Sequence, residues 1–265
     1  MRDARPAGDR RRALGALSAL AAAVVLASGC EATGSLTDNS PSEGAGSPTG
    51  AADAGRAVSP LDNPDGTEPG LAAVSSDADR AEARRLIGKV AVKGRGPRTG
   101  YDRDEFGEAW LDTADVPFSR NGCDDTRNDL LRRDGEELEF RSGSDCVVVA
   151  MTLADPYTGK EIDWVKADAA EVQIDHVMAL SYNWQMGASR WSRDKREAIA
   201  NDPLNLLPVD GPTNSAKGDS GPAAWVPPDK RIRCAYAVRF AQVSLKYELP
   251  VTEADKAAML RQCGG

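Results

Sequence analysis

Cys123, Cys146, Cys234 and Cys263 stand behind an N-terminus built for export, and that combination constrains the fold more than any other feature of the chain. Arg2, Arg5 and Arg10-Arg11-Arg12 form a positive leader, followed by an apolar run of 15 residues from Ala13 to Ala27. A helix that crosses a bilayer needs roughly 20, so the run reads as a signal peptide rather than a span. In an oxidising compartment an even set of cysteines reads as disulfides. Three pairings are possible. Cys123–Cys146 and Cys234–Cys263 are favoured because each closes a loop within one sequence region. A zinc site is the runner-up, weakened because no Cys-x-x-Cys is present and the single histidine is not near a cysteine pair.

The fifth cysteine ends the leader. Leu26-Ala27-Ser28-Gly29-Cys30 resembles a bacterial lipobox, although the Leu stands one place further from the Cys than the common pattern puts it. Lipidation of Cys30 would anchor the chain to the extracellular face of the cell membrane. Ordinary cleavage and release into the medium is the rival reading. Residues 31–78 are rich in Gly, Ser, Thr, Pro, Ala and Asp, with few large apolar side chains. Such a stretch is expected to act as a disordered tether. The chain thus divides into a signal peptide at 1–30, a tether at 31–78 and one domain at 79–265. The net charge of −8 argues against coating nucleic acid by bulk electrostatics. The tether holds −7 of it and the domain −4, offset by +3 in the leader, so a local basic groove is allowed.

Within the domain the apolar spacing predicts helices at 79–92, around Phe106–Trp110, and at Thr126–Arg133. Cys146–Leu153 and Glu161–Val165 read as a hairpin around the Asp155-Pro156-Tyr157-Thr158-Gly159 turn. Strands are expected at Glu171–His176 and Leu204–Val209, and a helix at 193–200. Lys230–Tyr247 reads as an amphipathic helix with Ile232, Tyr236, Phe240 and Val243 inward, and Thr252 as the cap of a last helix. The five tryptophans read as core or edge packing before base-stacking platforms.

The one histidine is the centre of the chemistry. His176 follows Asp175 at the end of a predicted strand, Asn205 lies in a second strand, and Asn214 lies nine residues on, three before Lys217. An imidazole is the usual general base near neutral pH. Asp and Asn oxygens are hard ligands for a divalent cation, and Lys can hold a phosphate as a point charge. On a strand, Asp175 and His176 are expected to point to opposite sides. Singly, each has a plainer reading: a turn cap, a turn residue, a helix cap or a solvated charge. Their joint spacing carries the signal.

Ile174-Asp175-His176-Val177, Asn205-Leu206 and Asn214-Ser215-Ala216-Lys217 resemble an HNH, or His-Me finger, nuclease motif. The segments Phe106–Trp110, Asn121–Leu131, Asp155–Gly159 and Ala200–Leu206 extend the likeness. They resemble secreted actinobacterial HNH proteins related to the C-terminal domain of GmrSD-type restriction endonucleases. The resemblance implies an α+β fold: a ββα-metal core elaborated with a β-hairpin and flanking helices, stapled by disulfides. It implies that Asp175 and Asn214 hold one divalent metal, Mg²⁺ or Mn²⁺, and that His176 activates water. It further implies that Asn205 orients the loop, that Lys217 neutralises phosphate charge and that Arg127 adds a phosphate contact. The substrate is expected to be nucleic acid, DNA before RNA, cut with low sequence specificity and with no obligate protein partner. The rivals are a non-catalytic surface lipoprotein on the same scaffold, and a phosphodiesterase acting on RNA or another ester.

Overall fold

The computed structural model describes residues 56–265 except Asp124, so the leader, Cys30 and most of the expected tether lie outside the described residues. Ordered packing begins well before Asp79. Leu71 and Val74 are each 2 % exposed and join the main core. The Gly70 amide donates to Asp134 Oδ1 (2.8 Å), Arg133 Nη1 donates to the Gly66 carbonyl (2.6 Å), and Gln242 Nε2 donates to the Pro60 carbonyl (2.5 Å). Gly66 has a φ of 71°, and a Cβ there would lie 2.3 Å from Leu204 Cα, so only glycine permits this approach. Part of the segment expected to be a tether therefore packs on the domain ahead of Asp79. Composition hid this, because two well-placed apolar side chains suffice once a surface exists to cover them.

Ser76 caps α1 (Asp77–Gly88) by accepting from the Asp79 amide, and Ala83 and Ile87 face inward. The helix stops short of the expected 92, yet Val90 is still buried. Phe106 and Trp110 do not share a helix. A single 3₁₀ turn, Arg103–Phe106, ends at Gly107, and Trp110 sits at a φ of 64°. Asp125 caps α2 (Thr126–Asp134), which buries Leu130 and Leu131. The chain then forms an antiparallel three-stranded sheet from β1 (Gly135–Phe140), β2 (Val148–Ala154) and β3 (Glu161–Val165), in that order. A second antiparallel pair joins β4 (Val172–His176) to β5 (Leu206–Asp210), with His176 opposite Leu206 and Asp175 opposite Leu207. Between them lie α3 (Leu180–Met186) and α4 (Arg193–Asn201), and β5 passes directly into α5 (Gly211–Lys217).

Two helices close the chain, α6 (Arg233–Tyr247) and α7 (Glu253–Gln262), the latter capped by Thr252 as expected. α6 was expected to turn one face inward, but it is buried on nearly every side, as a helix at the centre of a core must be. α1, α7 and the 203–205 turn pack around it. A smaller core gathers α2, the three-stranded sheet and the β4–β5 pair. Both favoured disulfides are present, with Cα–Cα distances of 5.5 Å for Cys123–Cys146 and 4.7 Å for Cys234–Cys263. The first ties the start of α2 to β2, and the second staples α6 to α7. The fold is mixed α+β with two small sheets. No described helix is long and apolar enough to cross a membrane.

Candidate active site

The site is built where β4 ends against β5 and α5. Asp210 caps α5 by accepting from the Thr213 amide (2.7 Å), and Pro212 occupies the first turn, where a missing N–H costs nothing. Asn214 and Lys217, three apart, then lie on neighbouring positions of one helix face. Asn214 Nδ2 donates to Gln173 Oε1 (2.9 Å), which leaves its amide oxygen as the atom available to a cation.

Lys217 does something other than the sequence suggested. Its side chain is fully buried, and Nζ donates to Asp175 Oδ1 (2.8 Å) and to the His176 carbonyl (2.8 Å). A lone buried carboxylate would be costly, and the ammonium offsets that cost while tying α5 to the end of β4. Tyr157 completes the arrangement, its hydroxyl donating to Asp175 Oδ2 (2.5 Å). Tyr157 is held there by the buried Asp155, which accepts from the amides of Tyr157 and Thr158 and from that of Asp210 at the start of α5. The Asp155–Gly159 turn is thus a presenting device for Tyr157. Burial pushes the Asp175 carboxyl upward, opposed by Lys217 and by the Tyr157 hydrogen bond. Burial, with Asp175 beside it, pushes the Tyr157 phenol well above its ordinary value, so it stays a neutral donor.

His176 faces other neighbours, as strand alternation requires. Its Nε2 lies 2.9 Å from the Ala200 carbonyl, an atom that can only accept. Nε2 therefore carries the proton, and Nδ1 is left with its lone pair. Burial, and then the charge of Arg103, lower the ring's pKa to about 3. The Trp110 ring lies nearly parallel to it, 16° between planes at 6.4 Å. Asn205 is fully buried and holds this corner together. Its Oδ1 accepts from the Met178 amide (2.8 Å), Nδ2 donates to the Ile199 carbonyl (3.1 Å), and its own carbonyl accepts from the Val177 amide (2.8 Å). It is bonded to the backbone that immediately follows His176 and to Ile199, beside Ala200.

Asp175, His176 and Asn214 line one cleft of about 410 Å³, with Arg98, Arg103 and Asp219 at the same cleft. Arg98 pairs with Asp219 (3.2 Å). Arg127 is not among these residues. Its guanidinium lies 5.5 Å from the centre of the Trp164 ring, over the second core, and the arginines at the cleft are Arg98 and Arg103 instead. Sequence reasoning missed those two arginines and Tyr157. The only available signal for Tyr157 was its turn motif; the arginines lie far from His176 in sequence and carry none. The donor set suits a hard divalent cation, since Asp175 and Asn214 both offer oxygen. A carboxylate oxygen accepts more than one partner, so the bonds from Lys217 and Tyr157 leave capacity. No group of three His, Cys, Asp or Glu side chains gathers among the described residues, so a cation here would need water and substrate oxygens to fill its shell.

Residues 125–262 match the family described as GmrSD restriction endonucleases, C-terminal domain. A protein of Arthroderma benhamiae named "Uncharacterized secreted protein" is 37% identical over 186 residues, 68% of this chain and 84% of the relative. That relative is not actinobacterial. No solved structure matches.

Proposed function

The chain belongs to the family of the GmrSD restriction endonuclease C-terminal domain, and from that membership and the cleft at His176 we propose that it is a secreted, metal-dependent endonuclease of DNA with low sequence specificity. The family suggests a nuclease-like activity and a nucleic acid substrate. The export leader and the name of the Arthroderma relative support the secreted location. The observation that carries the chemistry is that His176, its ring proton held on Nε2, is among the residues lining the same cleft as Asp175, Asn214 and two arginines.

In this reading β4, β5 and α5 serve as a ββα-metal core. Asp175 and Asn214 would hold one Mg²⁺ or Mn²⁺, which when bound would supply Lewis-acid stabilisation of the charge that develops at the phosphate. His176 Nδ1 takes the proton from the attacking water. Arg98 and Arg103 supply positive charge for the phosphate, a contact that positions the backbone without reading sequence. Lys217 and Tyr157 orient Asp175, and Asn205 holds the backbone around His176. Cys30 anchors the mature chain at the outer face of the membrane; mass spectrometry of the mature N-terminus tests this, and an unlipidated Cys30 ends it.

The test is cleavage of plasmid and of RNA by the full oxidised chain, with Mg²⁺, Mn²⁺ or EDTA, beside His176→Ala. The expected result is metal-dependent nicking of DNA, reduced about 10²- to 10⁴-fold in the variant, the range for loss of a general base. Nicking unchanged in His176→Ala removes the assigned base. Absence of cleavage with every metal leaves a binding protein on the same scaffold.

A further inference from the structure

His176 is a shared wall. On one side lies the cleft with Asp175, Asn214 and the arginines. On another lies a second cavity of about 280 Å³, lined by Trp110, Phe106, His176, Arg103, Asp104 and Glu108 among others. Arg103 and Leu180 also border both.

The loop that carries Trp110 is fixed at both ends. Phe106 is buried in the main core, and a Cβ at Gly107 would lie 2.4 Å from the Glu197 side chain, so the chain passes tightly there. The Leu111 amide donates to Asn201 Oδ1 (2.9 Å), and the Trp110 carbonyl accepts from the Thr126 amide (3.3 Å). Between these anchors Trp110 is held at a φ of 64°, a left-handed region that disfavours a large side chain. The result is a half-buried indole, set in place beforehand and bordering an open cavity next to the proposed base.

We propose that this second cavity is a nucleobase subsite, in which the base of a nucleotide beside the scissile phosphate stacks on Trp110. Its electrostatics separate it from the phosphate cleft. Asp104 and Glu108 repel phosphate and accept hydrogen bonds from the amino groups of cytosine, adenine or guanine. Arg103, on the boundary, faces the backbone charge between the two. The inference rests on the nuclease reading for the position of the phosphate. The cavity is suited to a planar ring with N–H donors, and single-stranded or locally opened substrate offers one without unstacking.

The experiment measures binding of a labelled short oligodeoxycytidylate to the full chain in EDTA, against an abasic strand with the same number of phosphates. The expected result is binding of the intact strand about ten-fold tighter, within the range for one base–aromatic stack. Trp110→Leu keeps apolar bulk but lacks the π-face, and should bring the ratio close to one. Trp110→Phe should retain most of it. Equal binding of the two strands by the unaltered chain overturns the subsite, and this arm needs no variant to fold. A folded Trp110→Leu with an unchanged ratio overturns it equally. Cleavage is assayed on the same preparations with metal. Base discrimination without cleavage removes the nuclease reading and keeps the subsite; cleavage without base discrimination does the reverse.

Discussion

Taking the His176 ring out of water beside Arg103 disfavours its protonated form, and the pKa falls from 6.5 to about 3. The Ala200 hydrogen bond opposes this but does not win. The folded pKa is lower than the unfolded one, so the unfolded chain binds a proton between pH 6.5 and about 3 that the folded chain does not. The stability linked to neutral His176 is therefore present above 6.5 and is lost as pH falls through that window, at up to about 1.4 kcal/mol per pH unit. Because the chain has one histidine, one imidazole signal reports it. In metal-free buffer that signal should not titrate between pH 8 and 5, and His176→Asn should flatten the pH dependence of the urea midpoint over the same window. A titration near 6.5 in the folded protein would contradict the buried, neutral ring.

At the scale of elements, the β5–α5 junction decides where the cleft residues stand. The Gly211 amide donates to the Glu171 carbonyl (2.8 Å), and a Cβ at position 211 would lie 1.9 Å from the Ala170 carbonyl oxygen. That contact is to backbone and cannot be relieved by a rotamer change. Gly211→Ala must lift α5 from the start of β4, moving Asn214 and Lys217 away from Asp175. The expected cost is about 1–3 kcal/mol in urea unfolding. The fall in cleavage should exceed that seen for an equally destabilising substitution on α7, which contributes no residue to the cleft lining; matching falls would show that the junction does not set the site. The sequence showed β4, β5 and the Asn214-x-x-Lys217 step because spacing and alternation record them. It did not show which way Lys217 points, since an ammonium on a short helix reads the same whether solvated or paired. β1 was missed because Glu136, Glu137 and Glu139 give it the look of a solvated loop, and α3 because Leu180–Met186 is too short for periodicity. Arg103 and Trp110 reach His176 only through tertiary packing, which no local pattern encodes.

At the scale of the whole molecule, the segment before α1 acts as a strap. Leu71 and Val74 are buried in the core that surrounds α6, and each such side chain contributes about 1.5–3 kcal/mol when removed from water. The strap also covers backbone that matters to the site. Arg133 bridges the Gly66, Pro203 and Leu206 carbonyls, and Gly66 rests against Leu204, next to the Asn205 that holds the His176 corner. A chain beginning at Asp79 would lose both apolar anchors, expose the face of α6 that Pro60 and Gln242 now share, and leave Arg133 with fewer acceptors. It should unfold at lower urea concentration than a chain beginning at Arg56, by roughly 3–6 kcal/mol from the two side chains alone. It should also show faster amide exchange at Leu204–Leu206, because the strap is what closes that turn from solvent. Equal midpoints and equal protection in the two chains would mean that residues 56–76 lie on the domain without stabilising it, and that the domain begins where composition alone had placed it.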